Sequence, residues 1–194
     1  MQSNLISSSL SDTAKYIATA TLILASFTSY ADSQLALKHL DGPIYIAEDS
    51  YYVKENSVVY IGENHVTVIG ATWTPETAEI LSNEIKKITN KPITEVVNTN
   101  YHTDRAGGNA YWKNIGAEII STKMTYDLIN SDWNNIVDFT RRGIATYPAL
   151  PRVLPTITYP SDFALQDGRI KAIYLGESHT PDGIFVYFPA EKVL

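Results

Sequence analysis

Val96-Val97-Asn98-Thr99-Asn100-Tyr101-His102-Thr103-Asp104-Arg105-Ala106-Gly107-Gly108-Asn109-Ala110-Tyr111 is the stretch that decides how this chain folds. It opens as a buried β-strand. Where the apolar run ends, Asn100, His102 and Asp104 fall at every second position. If the backbone stays extended, an amide, an imidazole and a carboxylate point to one side. Gly107 and Gly108 then permit a tight turn into a short helix ending near Gly116. The three polar groups are thereby expected at the carboxyl end of a strand, where α/β sheets bind their ligands. A His-x-Asp pair taken alone is weak, because a solvated turn has the same spacing.

Upstream of this stretch, Thr74-Pro75-Glu76 reads as a helix start: a capping Thr, a Pro at the first helical position and an acid at the positive end of the dipole. Ala78, Leu81, Ile85 and Ile88 form the apolar face of that helix, and Lys91-Pro92 stops it before a strand over Ile93–Val97. Strand, helix and strand make a βαβ-like unit and hence a mixed sheet. Earlier still, Ile44–Ala47, Tyr51–Val53, Ser57–Ile61 and Val66–Ile69 are expected as an antiparallel meander separated by turn residues. Trp73 is expected in the core. His39 and His65, without an acid or imidazole at ligand spacing, read as surface histidines.

Downstream, a strand approached through Gly116 is followed by helix over Thr125–Arg142, with Ser131 capping a second segment, Trp133, Ile136 and Val137 buried, and Gly143 at its end. Tyr147–Pro160 holds four prolines and is expected to be irregular. Phe163–Leu165 and Ile170–Leu175 flank a Gln166-Asp167-Gly168-Arg169 hairpin turn. The polar loop Gly176-Glu177-Ser178-His179-Thr180-Pro181-Asp182-Gly183 carries the second histidine of interest, His179; read alone, a loop histidine is more often simply solvated. Ile184–Phe188 is a further strand, and Val193-Leu194 begins another.

The 194 residues suffice for one domain, and 44% hydrophobic content agrees with a globular core. A net charge of −6 with no basic cluster argues against a nucleic-acid partner. The absence of cysteine removes every thiolate ligand or nucleophile within the sequence. Lys15, the apolar run Tyr16–Phe27 and Ser29-Tyr30-Ala31 read as a secretory signal over residues 1–31, leaving 32–194 as the mature domain. The apolar run is shorter than a membrane span of about 20 residues, so no membrane association is expected after cleavage. Export without disulfides points to a bacterial periplasm. No Ser is followed by Lys at the third position and no Gly-x-Ser-x-Gly occurs, which sets aside serine-nucleophile chemistry.

The string Asn100-Tyr101-His102-Thr103-Asp104-Arg105-Ala106-Gly107-Gly108-Asn109 resembles the zinc motif of the metallo-β-lactamases, most closely their mono-zinc, carbapenem-selective branch, subclass B2, in which an Asn stands where the wider superfamily has a His. Gly42–Ile61, Gly70–Glu76 and Gly183–Leu194 resemble that branch too, so the likeness covers essentially everything after residue 34. The resemblance implies an α/β fold, the four-layer αββα sandwich, of which this chain holds the first half and the opening strands of the second. It implies zinc-dependent hydrolysis of carbapenem β-lactams by a monomer, with one Zn2+ held by Asp104 and by a Cys and a His that would follow residue 194. His102 and His179 then line a second metal position that is normally empty. His102 or Asp104 is the general base, Asn100 a hydrogen-bonding group beside them, and Thr103, Thr140 and His179 substrate contacts. On this reading the chain is truncated, since a catalytic zinc normally takes three protein ligands and only Asp104 of the three is present. Two other readings compete: an inactive partial product that neither binds zinc nor hydrolyses anything, and a periplasmic binding protein that uses its 13 tyrosines for carbohydrate stacking.

Overall fold

A computed structural model describes residues 34–194; the expected secretory signal, residues 1–31, lies outside them. Seven strands form one mixed sheet in sequence order: β1 (Leu35–Asp41), β2 (Ile44–Asp49), β3 (Glu55–Ile61), β4 (Val66–Ile69), β5 (Ile93–Val97), β6 (Glu118–Thr122) and β7 (Ile157–Tyr159). β1 to β4 pair antiparallel, as short turns permit, and β4 to β7 pair parallel. Each parallel step needs a crossover. These are α1 (Pro75–Ile88), the short pair α2 (Thr103–Ala106) and α3 (Asn109–Asn114), and α4 (Lys123–Gly143). A second, antiparallel sheet holds β8 (Phe163–Leu165), β9 (Ile170–Ile173) and β10 (Phe185–Tyr187), with β9 in the middle.

The two-residue period of the strands builds the layers. Val59, Val68 and Val96 face a core completed by Leu81 and Ile85 of α1 and Trp112 of α3. Their neighbours Tyr60, Ile69 and Val97 face the other way, onto Phe163, Leu165 and Ile170 of the second sheet. Helices therefore cover one face of the large sheet and the small sheet covers the other. Burying side chains of this size stabilises by about 1.5–3 kcal/mol each, which explains why the adjacent pairs Val59-Tyr60, Val68-Ile69 and Val96-Val97 are apolar on both faces. A third cluster seats α4 (Ile129, Trp133, Ile136, Val137) on Ala106 of α2 and on Tyr101.

The helix start at Thr74 is as expected: its hydroxyl accepts from the Thr77 backbone N–H, and the Thr77 hydroxyl accepts in return from the Thr74 N–H. Several expectations need correction. Tyr51–Val53 is not a strand; it leaves the sheet so that the Val53 carbonyl accepts from the Trp73 indole. Ile88 is 45% exposed, one turn beyond the sheet's cover. Ser131 caps nothing, because α4 runs unbroken and the Ser131 hydroxyl bonds back to the Asp127 carbonyl, one turn earlier. The proline-rich stretch still yields β7, since Ile157–Tyr159 lies between prolines and can pair with β6. His65 is not free of acids: its Nε2 lies 3.2 Å from the carboxylate of Glu95, thirty positions away on β5.

Gly107 and Gly108 serve a different purpose from the one expected. Neither has positive φ; both sit in ordinary right-handed backbone. A Cβ on Gly107 would lie 1.9 Å from the Trp73 carbonyl oxygen, and one on Gly108 would lie 1.9 Å from that of Ala71. The segment after β4 crosses the motif at backbone contact, fixed by the Ala71 N–H donating to the Arg105 carbonyl and the Gly108 N–H donating to the Thr72 carbonyl. Gly108→Ala is accordingly expected to destabilise the chain by about 2 kcal/mol or more, whereas Gly143→Ala, with no neighbour within 4 Å, should be neutral or stabilising by up to about 1 kcal/mol. Urea denaturation midpoints of the two variants test this; equal midpoints would refute the close-packing role.

Candidate active site

The site lies at the carboxyl ends of β4 and β5. Asn98 leaves β5 fully buried, with its backbone N–H donated to the Ile120 carbonyl of β6. Its amide exchanges hydrogen bonds of 2.9 Å with the amide of Asn109, and also donates to the Arg105 carbonyl at 2.8 Å. Asn109 reaches the Val153 carbonyl as well. This buried pair holds the two ends of the motif together, and sequence reasoning missed it. The only signal in the sequence is an asparagine at each end of the motif, each needing partners once buried.

The expectation that Asn100, His102 and Asp104 alternate along an extended chain fails, because the backbone turns into α2 at Thr103. The Asn100 side-chain oxygen accepts from the His102 N–H at 3.0 Å, bending the chain into that turn. His102 occupies the N-cap position and Asp104 the first helical turn. The two side chains thus reach the same cavity by way of a helix start, and Asn100 is not among the residues that line it.

That cavity, about 520 Å³, is lined by Trp73, His102, Thr103, Asp104, His179 and, from the second half of α4, Ile136, Phe139, Thr140 and Arg142. The His102 and His179 rings meet edge to face with centroids 5.0 Å apart. The His179 loop is tied to the motif by the Ile184 N–H donating to the Thr99 carbonyl at 3.0 Å. The Thr103 and Thr140 hydroxyls bond to each other at 2.9 Å, and Thr140 also donates to the Ile136 carbonyl. Trp73 is both core and wall: it is 8% exposed, stacks edge-on against Tyr147, and its carbonyl accepts from the Tyr147 hydroxyl at 2.6 Å.

Burial pushes the His102 imidazole below its ordinary pKa of 6.5; the Asp104 carboxylate opposes this, the neighbouring His179 reinforces it, and Asp182 opposes it. His102 is therefore held neutral near pH 7 and has a nitrogen free to accept a proton. Beneath the site, burial raises the Glu55 carboxyl to about 8 against the pull of the Arg105 guanidinium. Asp182, three residues after His179, is fully buried, and among the described residues neither of its oxygens has a hydrogen-bond partner.

One carboxylate and two imidazoles on one cavity are the right kind of donors for zinc. They do not amount to a zinc site: among the described residues no three His, Cys, Asp or Glu side chains converge closely enough to hold an ion.

A sequence profile described as the metallo-beta-lactamase superfamily matches residues 52–194. A curated relative from Elizabethkingia meningoseptica, named metallo-beta-lactamase type 2, is 31% identical over 139 residues, which are 72% of this chain and 49% of the relative. The chain thus spans about half the length of that relative. Among solved structures, the DIM-1 metallo-beta-lactamase superposes with a TM-score of 0.66 at 20% identity, over 81% of this chain and 66% of the other. A metallo-beta-lactamase from Pontibacter korlensis gives 0.66 at 20%, over 81% and 68%. At such identities these likenesses establish the fold: a mixed α/β sandwich of the same kind.

Because His102 is depressed in the folded state, it binds fewer protons there than in the unfolded chain as pH falls below 6.5. Its contribution to stability is present above 6.5 and is lost as pH drops toward its folded value. Histidine ring resonances followed by NMR should show His102 titrating below 6.5, and lower still in Asp104→Asn, which removes the largest charge holding it up. A value at or above 6.5 would refute the account.

Proposed function

The chain belongs to the metallo-β-lactamase superfamily, and on that premise we propose that it serves zinc-dependent hydrolysis of the β-lactam amide, with carbapenems as substrates, in a bacterial periplasm. The observation that carries this reading is the convergence of His102, Asp104 and His179 on one cavity that the apolar side chains of Trp73, Ile136 and Phe139 also line. The motif with Asn100 at its head supports the mono-zinc B2 branch, with Asp104 as the ligand this chain contributes and the remaining ligands outside the described residues.

The chain's own residues have separable tasks. The apolar wall shelters a bicyclic ring system from water and holds it against the polar side. His102, neutral near pH 7, accepts a proton from a water poised to attack the lactam carbonyl, with the Asp104 carboxylate as the alternative acceptor. His179 stands edge-on to His102 and limits the directions in which that ring can turn. Asn100 fixes the His102 backbone, Thr140 holds the Thr103 hydroxyl, and Thr103, Thr140 and His179 border the space the substrate takes.

That no metal-holding group of three donors forms among the described residues favours a second reading, a chain that by itself neither retains zinc nor turns over substrate. Both readings are tested together. After dialysis the isolated chain is expected to retain well under one zinc per molecule and to leave imipenem absorbance unchanged. Fused to a family segment that supplies the Cys and His ligands, it should gain turnover, which His102→Ala lowers by about 100-fold or more and Asp104→Ala abolishes. One tightly held zinc in the isolated chain, or turnover insensitive to Asp104→Ala, would overturn the assignment.

A further inference from the structure

We propose that Glu55 is a positioning residue for this site, acting through Arg105 on the carboxylate of Asp104. Its functional meaning rests on the reading of Asp104 as a working group, but the linkage itself stands on geometry.

Glu55 is the first residue of β3, fifty positions before Arg105, and its side chain is 3% exposed. Its Oε2 accepts from Arg105 Nη1 at 2.6 Å, and the same Nη1 donates to the Asn56 carbonyl at 2.6 Å. At the other end of the guanidinium, Arg105 Nε lies 3.3 Å from Asp104 Oδ2. Adjacent residues on a helix do not face each other, so α2 alone does not bring these two side chains together. The guanidinium must be turned back toward Asp104 by something outside the helix. Glu55 and Asn56 do this, and the planar fork transmits the constraint from one nitrogen to the next.

The path of the arginine is also prepared. Gly70 has φ +86°, and a Cβ there would lie 3.3 Å from Arg105 Nη1 and 3.0 Å from the Ser57 hydroxyl. A larger residue would crowd the guanidinium out of its slot. The Arg105 carbonyl is held in turn by the Ala71 N–H and the Asn98 amide. Backbone and side chain of Arg105 are thus both fixed, and the one freedom left to Asp104, its own rotamer, meets a stationary cation. A group that orients a ligand or base from behind acts on its geometry without touching substrate.

The test uses the 194-residue chain and three variants. In the parent, the Arg105 Nε–Hε pair should give a slowly exchanging signal in 1H–15N NMR. In Glu55→Ala, with backbone spectra confirming the fold, that proton should exchange about tenfold faster or more, and the Asp104 carboxyl carbon signal should shift. Glu55→Gln, whose amide oxygen still accepts from Nη1, should restore both. A role limited to general stability would lower the melting temperature in Glu55→Ala while leaving the Arg105 and Asp104 signals in place, and that result overturns the proposal. Should Glu55→Ala not fold, Arg105→Lys, which keeps the charge beside Glu55 but lacks a second arm, must move the Asp104 signal; an unmoved signal overturns it equally. Turnover of the fused chain separates the two ideas: if it is insensitive to Asp104→Ala while Glu55→Ala moves the Asp104 signal, the functional reading fails and the positioning role stands.

Discussion

The backbone crossing of residues 70–73 over residues 105–108 is the constraint on which the rest of this structure depends. Two carbonyl oxygens, of Ala71 and Trp73, occupy space that any side chain at 108 or 107 would fill. Because the contact is backbone on backbone, it fixes the end of β4 against the end of β5 more rigidly than side-chain packing does. Several groups of the candidate site adjoin this crossing: Trp73 belongs to the first segment, and His102 and Asp104 immediately precede the second, which begins at Arg105. The Trp112 indole, donating to the Ala71 carbonyl at 3.0 Å, locks the crossing from the helical side.

Much of the fold was legible because it is local. The βαβ unit around α1 follows from a capping Thr, a Pro at the first helical position and a three-to-four residue apolar period, all contained within twenty residues. The alternation of Val59/Tyr60, Val68/Ile69 and Val96/Val97 between two cores was readable only as buried strand, since a run that is apolar on both faces carries no period. What failed was set by distant partners. Tyr51–Val53 has strand composition, yet its carbonyl is claimed by Trp73, twenty residues on. Ile157–Tyr159 pairs with β6 despite the prolines around it, because three residues without a proline suffice for a short parallel ladder.

The candidate site was legible in identity and illegible in geometry. His102, Asp104 and His179 were singled out and do meet at one cavity, but period-two reasoning put His102 and Asp104 on one side of an extended chain, with His179 in a loop. A single Asx-type hydrogen bond from His102 to Asn100 is enough to end the extended backbone there. The polar groups beneath the cavity escaped notice for a general reason: Glu55, Asn98, Asn109 and Asp182 matter through burial and through partners far away in sequence. No local pattern separates a buried acid from a solvated one.

Charge around the cavity follows from that burial. Two acids, Asp104 and Asp182, act on His102 in the direction of protonation, and desolvation together with His179 acts against them with the larger total effect. Asp104 is the largest charge raising the proton affinity of His102, and Asp104 in turn faces a guanidinium anchored on β3. An imidazole whose proton affinity a neighbouring carboxylate raises, and a guanidinium placed between that carboxylate and Glu55, form a line of contacts from the first residue of β3 to the cavity. Removing Glu55 at the buried end leaves the Arg105 guanidinium without the side chain that accepts from its Nη1. On the proposed reading, removing His102 at the open end takes away the group that accepts the proton of the attacking water. The orientation of Asp104 is therefore expected to depend on Glu55, a buried residue that no sequence motif marks.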